Sequence, residues 1–139
     1  MDNPVIDREG TKRWYDSNNK CHRDDGPAVK KANGDKAWYQ HGERHRDDGP
    51  AVKKANGDKA WYQHGERHRD DGPAIEYASG TKQWCQHGLL HRADGPAVEY
   101  ADGGKVWWLN GGHEYTFEKW LDEVDISDEA KVMMKLKYG

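Results

Sequence analysis

His45-Arg46-Asp47-Asp48-Gly49-Pro50-Ala51-Val52-Lys53-Lys54-Ala55-Asn56-Gly57-Asp58-Lys59-Ala60-Trp61-Tyr62-Gln63-His64-Gly65-Glu66-Arg67 reproduces, residue for residue, the stretch that precedes it at 22–44. Diverged copies follow at 68–90 and 91–113, and a partial one covers about 9–21, so a 23-residue period organises most of the chain. The identical pair reflects a recent duplication and singles out no residue. The diverged copies do so. In the numbering of the second copy, the residues common to all four are His45, Arg46, Asp48, Gly49, Pro50, Ala51, Ala55, Gly57, Lys59, Trp61 and Gly65.

Within a repeat, the runs Pro50–Ala55 and Asp58–Gln63 flank Asn56-Gly57. Asn-Gly favours the type I′ turn, because both central residues need positive φ, so each repeat is predicted to be a β-hairpin. His64-Gly65 marks the next reversal. Alternation sorts the faces: Ile75 and Tyr77, like Val98 and Tyr100, point one way, and Ala74, Glu76 and Ala78 point the other. Trp38, Trp61, Trp84 and Trp107 then form a ladder on one face with a step of about 10 Å, two strand spacings. The expected fold is mainly β: a single-layer antiparallel meander of tandem hairpins over 1–113, followed by a cap at 114–139. In the cap, Thr116 precedes an apolar stripe of Phe117, Trp120, Leu121 and Val124. Ser127 precedes a second helix bearing Val132, Met133 and Leu136, with acids first and lysines last. Two helices placed there would cover the last edge strand.

The Gly-x-Lys-x-Trp-Tyr and His-Arg-x-Asp-Gly-Pro-Ala patterns resemble divergent MORN repeats and, more narrowly, the small His-Arg-x-Asp-Gly-Pro-Ala repeat proteins of tailed bacteriophages. The resemblance spans roughly residues 9–113 and implies a hairpin meander serving as a scaffold or binding surface, with no catalytic residue to carry over. The Pro-Ala strand start and the charged connection depart from ordinary MORN units, and the lipid association attributed to that family is not carried over.

The 139 residues have a net charge of −3, too small to imply a partner by itself. Mean hydropathy is −1.27, low for a globule with a large core, but seven tryptophans and seven tyrosines let a thin sheet bury area while its other side stays wet. Cys21 and Cys85 stand at non-equivalent repeat positions and make no disulfide framework. The first residues, Met1 to Ile6, lack the basic and apolar regions of a signal peptide. The expected setting is a reducing cytoplasm, that of the host if the chain is phage-encoded, with no membrane association.

His22, His45, His68 and His91 each stand three residues before an aspartate. Successive imidazoles lie about two strands apart, too far to share a metal, and no Ser or Cys recurs beside them as a nucleophile. Catalytic residues, metal and cofactor are therefore not expected. His45 and its equivalents are expected to pack over a neighbouring tryptophan while Arg46 and Asp48 hold the turn. Lys30, Lys31, Lys53 and Lys54 occupy the positions that read Glu76, Tyr77, Glu99 and Tyr100 later, so the sheet is basic at one end and acidic toward the helices. These eight residues are the expected partner-binding surface. The expectation is a non-enzymatic binding protein, a phage factor that inhibits or redirects a host protein. Alternatives are a self-assembler joined through its N-terminal edge hairpin, a nucleotide-capturing sponge, and a nucleic-acid module. Base stacking wants shorter steps than the ladder offers, which disfavours the last.

Overall fold

A computed structural model describes residues 3–139. Strands β1 (Val5–Ile6) and β2 (Lys12–Arg13) make the opening hairpin. The first full repeat holds β3 (Val29–Lys30), β4 (Lys36–Ala37), β5 (Tyr39–Gln40) and β6 (Glu43–Arg44). The second holds β7 (Val52–Lys53), β8 (Lys59–Ala60), β9 (Tyr62–Gln63) and β10 (Glu66–Arg67). The third holds β11 (Ile75–Glu76), β12 (Lys82–Gln83), β13 (Cys85–Gln86) and β14 (Leu89–Leu90). The last holds β15 (Val98–Glu99) and β16 (Lys105–Trp108), followed by β17 (Glu114–Tyr115). Helices α1 (Phe117–Glu123) and α2 (Asp128–Tyr138) end the chain.

An 11-stranded antiparallel meander runs β1-β2-β3-β4-β7-β8-β11-β12-β15-β16-β17, and β5–β6, β9–β10 and β13–β14 are separate two-stranded ribbons beside it. Each repeat therefore carries two hairpins rather than the one read from its sequence. The run Asp58–Gln63 is divided at Trp61, whose N–H turns to the Ala74 carbonyl and whose own carbonyl accepts from His68 N–H. Lys59–Ala60 thus joins the main sheet, while Tyr62–Gln63 pairs with Glu66–Arg67.

The turns exchange roles relative to expectation. At Asn56-Gly57 only the glycine has positive φ, and Gly57 N–H donates to the Lys54 carbonyl, the pattern of a type I turn followed by a left-handed glycine. The type I′ signature falls instead at His64-Gly65, where both φ values are positive, 49° and 81°. A histidine tolerates the left-handed region there because its side chain projects outward and is exposed.

Neighbouring repeats are tied along both edges. Asp35 Oδ1 accepts from Ala55 N–H, and Asp58 Oδ1 from Ala78 N–H, which links successive turn tips. At the other edge Gly65 N–H donates to the Arg44 carbonyl and Gly88 N–H to the Arg67 carbonyl, while within each repeat Gln40 Nε2 donates to the Arg23 carbonyl, repeated by Gln63 on Arg46 and Gln86 on Arg69. The fourth repeat has Leu109 where the glutamine would stand, and the Trp120 indole N–H donates to the Arg92 carbonyl in its place.

Among the described residues the cap holds the one apolar cluster of buried residues: Trp107, Leu109, Trp120, Leu121 and Val124. Thr116 and Ser127 cap their helices as the sequence implies, accepting from Lys119 and Ala130 N–H respectively. The stripe expected on α2 is corrected: Val132, Met133 and Leu136 are exposed, and Met134 and Tyr138 pack inward with Ile126. Among the described residues no helix is long and apolar enough to cross a membrane.

Candidate binding surfaces

The His-Arg-Asp-Asp-Gly-Pro connection is a preorganised clamp. The Arg46 guanidinium lies over the Trp38 ring, 4.0 Å from its centroid, and Arg23, Arg69 and Arg92 repeat this on Trp14, Trp61 and Trp84. Arg46 Nε also donates to Asp48 Oδ1 and Nη1 to the Pro50 carbonyl. On its far side the guanidinium faces Gly49, where an added Cβ would stand 3.0 Å from Cζ. The recurring glycine is required by this close approach rather than by its φ. Arginine, not histidine, therefore covers the neighbouring tryptophan, and the expectation for His45 is corrected. A guanidinium is planar and can stack while its edge donates in plane, whereas an imidazole offers too few donors to do both.

The histidine has a different task. His45 Nδ1 accepts the backbone N–H of His64, and its Nε2 lies 3.0 Å from Asp47 Oδ1. Accepting at Nδ1 leaves the proton on Nε2, which donates to Asp47. Both ring nitrogens are thereby used. His22 and His68 repeat the arrangement, and His91 keeps the Nδ1 bond to Asn110 N–H but has Ala93 where the aspartate would be. Burial pushes the His91 imidazole below its ordinary value.

Asp16, His22 and His41 are the one group of three metal-ligand side chains brought together among the described residues. His22 Nδ1 there receives His41 N–H, its Nε2 faces Asp24, and His41 Nδ1 pairs with Asp16 Oδ2 at 2.9 Å. A metal would have to break the backbone bond or displace the Nε2 proton, so the donor set does not fit one as it stands. The bond from His41, with help from Lys20 and Asn18 N–H, lowers the Asp16 carboxyl to about 2.

The expected partner-binding lysines are divided between faces. Lys12, Lys30, Lys36, Lys53 and Lys59 are direct cross-strand neighbours on β2, β3, β4, β7 and β8, followed in register by Glu76, Lys82, Glu99 and Lys105. Like charges directly opposite each other are destabilising, and this row carries five in succession. Glu76 and Glu99 relieve the later repeats by pairing with Arg69 and Arg92, at 2.9 and 2.6 Å. Lys53 stands seven residues after Arg46, as Glu76 does after Arg69, so the early repeats set a lysine where the later ones have a carboxylate.

Lys31 and Lys54 instead border a groove on the opposite face, with Tyr77 beyond them. Its floor is the other register row: Val29, Ala37, Val52 and Ala60, then Ile75. Tyr39, Tyr62, Arg44 and Arg67 of the small ribbons form the second side. The concavity at the first repeat is about 390 Å³ and its successor about 210 Å³. Arg44 lies 5.4 Å from the centroid of the Tyr62 ring and its Nη1 donates to Tyr62 Oη at 3.5 Å, and the neighbouring Tyr62 hydroxyl raises the Arg67 guanidinium above its ordinary value. Neither arginine forms an ion pair among the described residues. Sequence reasoning missed both, since they read as part of the connection. The signal available was the His-Gly turn, which places Arg44 opposite Tyr39 across a two-residue loop. Cys85 occupies the position of Tyr39 and Tyr62, and burial pushes its thiol up.

No family model, curated protein or solved structure matches the chain.

Proposed function

We propose that this is a non-catalytic repeat protein that binds an anionic stretch of another protein along the basic half of its array, residues 22–67. The observation that carries the reading is the row of five mutually facing lysines. Lys30 and Lys53 of that row stand where the later repeats have Glu76 and Glu99, each of which closes an ion pair with an arginine. A cost left uncorrected where its remedy lies one repeat away points to an external counter-charge. In keeping with the resemblance to phage repeat proteins, the partner is a host cytoplasmic protein that the chain inhibits or redirects. His22, His45 and His68 support a non-enzymatic role, since both of their ring nitrogens serve the scaffold. Affinity capture from host lysate, repeated with Lys30→Glu and Lys53→Glu, tests this: the partner recovered by the parent protein should be lost or strongly reduced. Equal recovery at low salt removes the reading.

A second reading rests on β1. Val5 and Ile6 are 61% and 58% exposed on the edge strand of the sheet, so two copies could join there edge to edge. Light scattering showing a concentration-dependent dimer that Ile6→Lys abolishes would favour it.

A further inference from the structure

The two identical repeats build the same set of groove residues twice, one period apart. Lys31, Tyr39 and Arg44 of the first copy become Lys54, Tyr62 and Arg67 of the second, above floors of Val29 and Val52. The cations differ from those of the lysine row. The guanidiniums stand beside tyrosines at the side of a concave, apolar-floored channel, and neither pairs with a carboxylate among the described residues, although Asp35 and Asp58 also line the channel. A carboxylate entering there meets a planar donor fork with part of its water already displaced, which strengthens a charged hydrogen bond.

The spacing selects the ligand's conformation. Equivalent cations are two strands apart, about 9.6 Å along the groove. A polyproline II segment turns once in three residues with a rise of about 3.1 Å each, so every third side chain returns to the same face after about 9.3 Å. A β-strand returns after about 6.8 Å, and two turns of α-helix cover about 10.8 Å, so both lose register sooner.

We propose that the groove accommodates an extended acidic segment of a partner protein, in polyproline II conformation, with carboxylates three residues apart engaging Arg44 and Arg67 in turn. The inference goes beyond the reading above, whose lysine row lies on the opposite face, and assigns this groove a ligand segment of its own. Past the identical pair the groove becomes less basic, with Tyr77 and Tyr100 at the positions of Lys31 and Lys54, and Leu90 at that of Arg44. The segment is therefore expected to be acidic at one end and aromatic or apolar at the other.

The test uses fluorescence anisotropy with a labelled peptide of repeating Glu-Pro-Pro units and a control of the same composition whose glutamates stand together. The repeating peptide should bind about tenfold more tightly than the control, and Arg44→Gln with Arg67→Gln should weaken it by about tenfold. Lys31→Ala with Lys54→Ala, at exposed positions whose side chains form no ion pair among the described residues and act on Asp35 only at longer range, should weaken it in the same direction and guards against an effect of misfolding. Equal affinity for the two peptides overturns the proposal, as does an unchanged affinity in the arginine variant. A single-stranded oligonucleotide that outcompetes the peptide overturns it in favour of a nucleic-acid groove. Loss of binding in Lys30→Glu with Lys53→Glu, combined with retention in the arginine variant, would move the contact to the lysine row and overturn the groove while leaving the binding role in place.

Discussion

The Arg46 guanidinium lies over Trp38, a residue of the preceding repeat, at 4.0 Å from the ring centroid, with Gly49 on its other side. One side chain thus stacks across the repeat boundary, bonds Asp48 and closes its own turn on the Pro50 carbonyl.

Replacing Arg46 with Ala should cost about 1–3 kcal/mol, the sum of a partly desolvated cation–π contact and a charged hydrogen bond. Asp48→Ala should cost far less, because that carboxylate is 86% exposed. Thermal melts of the two variants side by side check the difference, and equal melting temperatures would refute the clamp.

Gly95→Ala should destabilise by about 1–3 kcal/mol through overpacking, since the new methyl would stand 2.7 Å from Arg92 Cζ. Gly103→Ala meets no atom within 4 Å and is strained only by its φ of 94°, so it should cost about 1 kcal/mol. Chemical denaturation of both variants separates a contact penalty from a backbone one.

Lys53→Glu should leave the fold intact and raise stability by about 0.3–1 kcal/mol, because it places a carboxylate where Glu76 meets Arg69. A gain in stability together with a loss of partner capture would separate what the lysine does for binding from what it does for folding.

Two groups set the acid response. His91 lies below its ordinary value when folded, so the unfolded chain takes up the proton first, and stability should decline as pH falls below about 6.5. Asp16 is lowered to about 2, so its contribution is present above the ordinary carboxylate value of 3.8 and is lost between there and about 2. Melting against pH with His91→Gln should flatten the first slope, and Asp16→Asn the second.

EDTA should leave the melting temperature unchanged, because each repeat imidazole already accepts a backbone N–H at Nδ1 and holds its proton at Nε2. A fall in stability restored by zinc would instead assign a metal to Asp16, His22 and His41.

The meander, the two faces and the capped helices were legible because they depend on period and on local chemistry: Gly57 for a turn, Thr116 for a cap, Ile75 alternating with Glu76. The break at Trp61 was not. Nothing in a run of six residues shows that its halves will pair with different strands, since that follows from the preceding turn and from where Ala74 arrives. The exchange of roles between His and Arg was hidden for a related reason. Both residues recur together, and only the geometry tells which ring nitrogens are already occupied by His64 N–H and Asp47. Arg44 and Arg67 went unnoticed because the duplication that doubles them also removes the divergence by which they could be singled out.

Each arginine closes the tryptophan before it, and Trp107, the last of the series, is closed by Phe117 and Trp120 at 4.9 and 4.6 Å. The arginine–tryptophan contact at every internal seam is consequently of one kind, and the terminal seam is sealed by a part that does not repeat. Inserting or excising one whole period joins surfaces that already fit. The protein can lengthen or shorten by unequal recombination without having to evolve a new junction, so the length of its groove can change in a single genetic step.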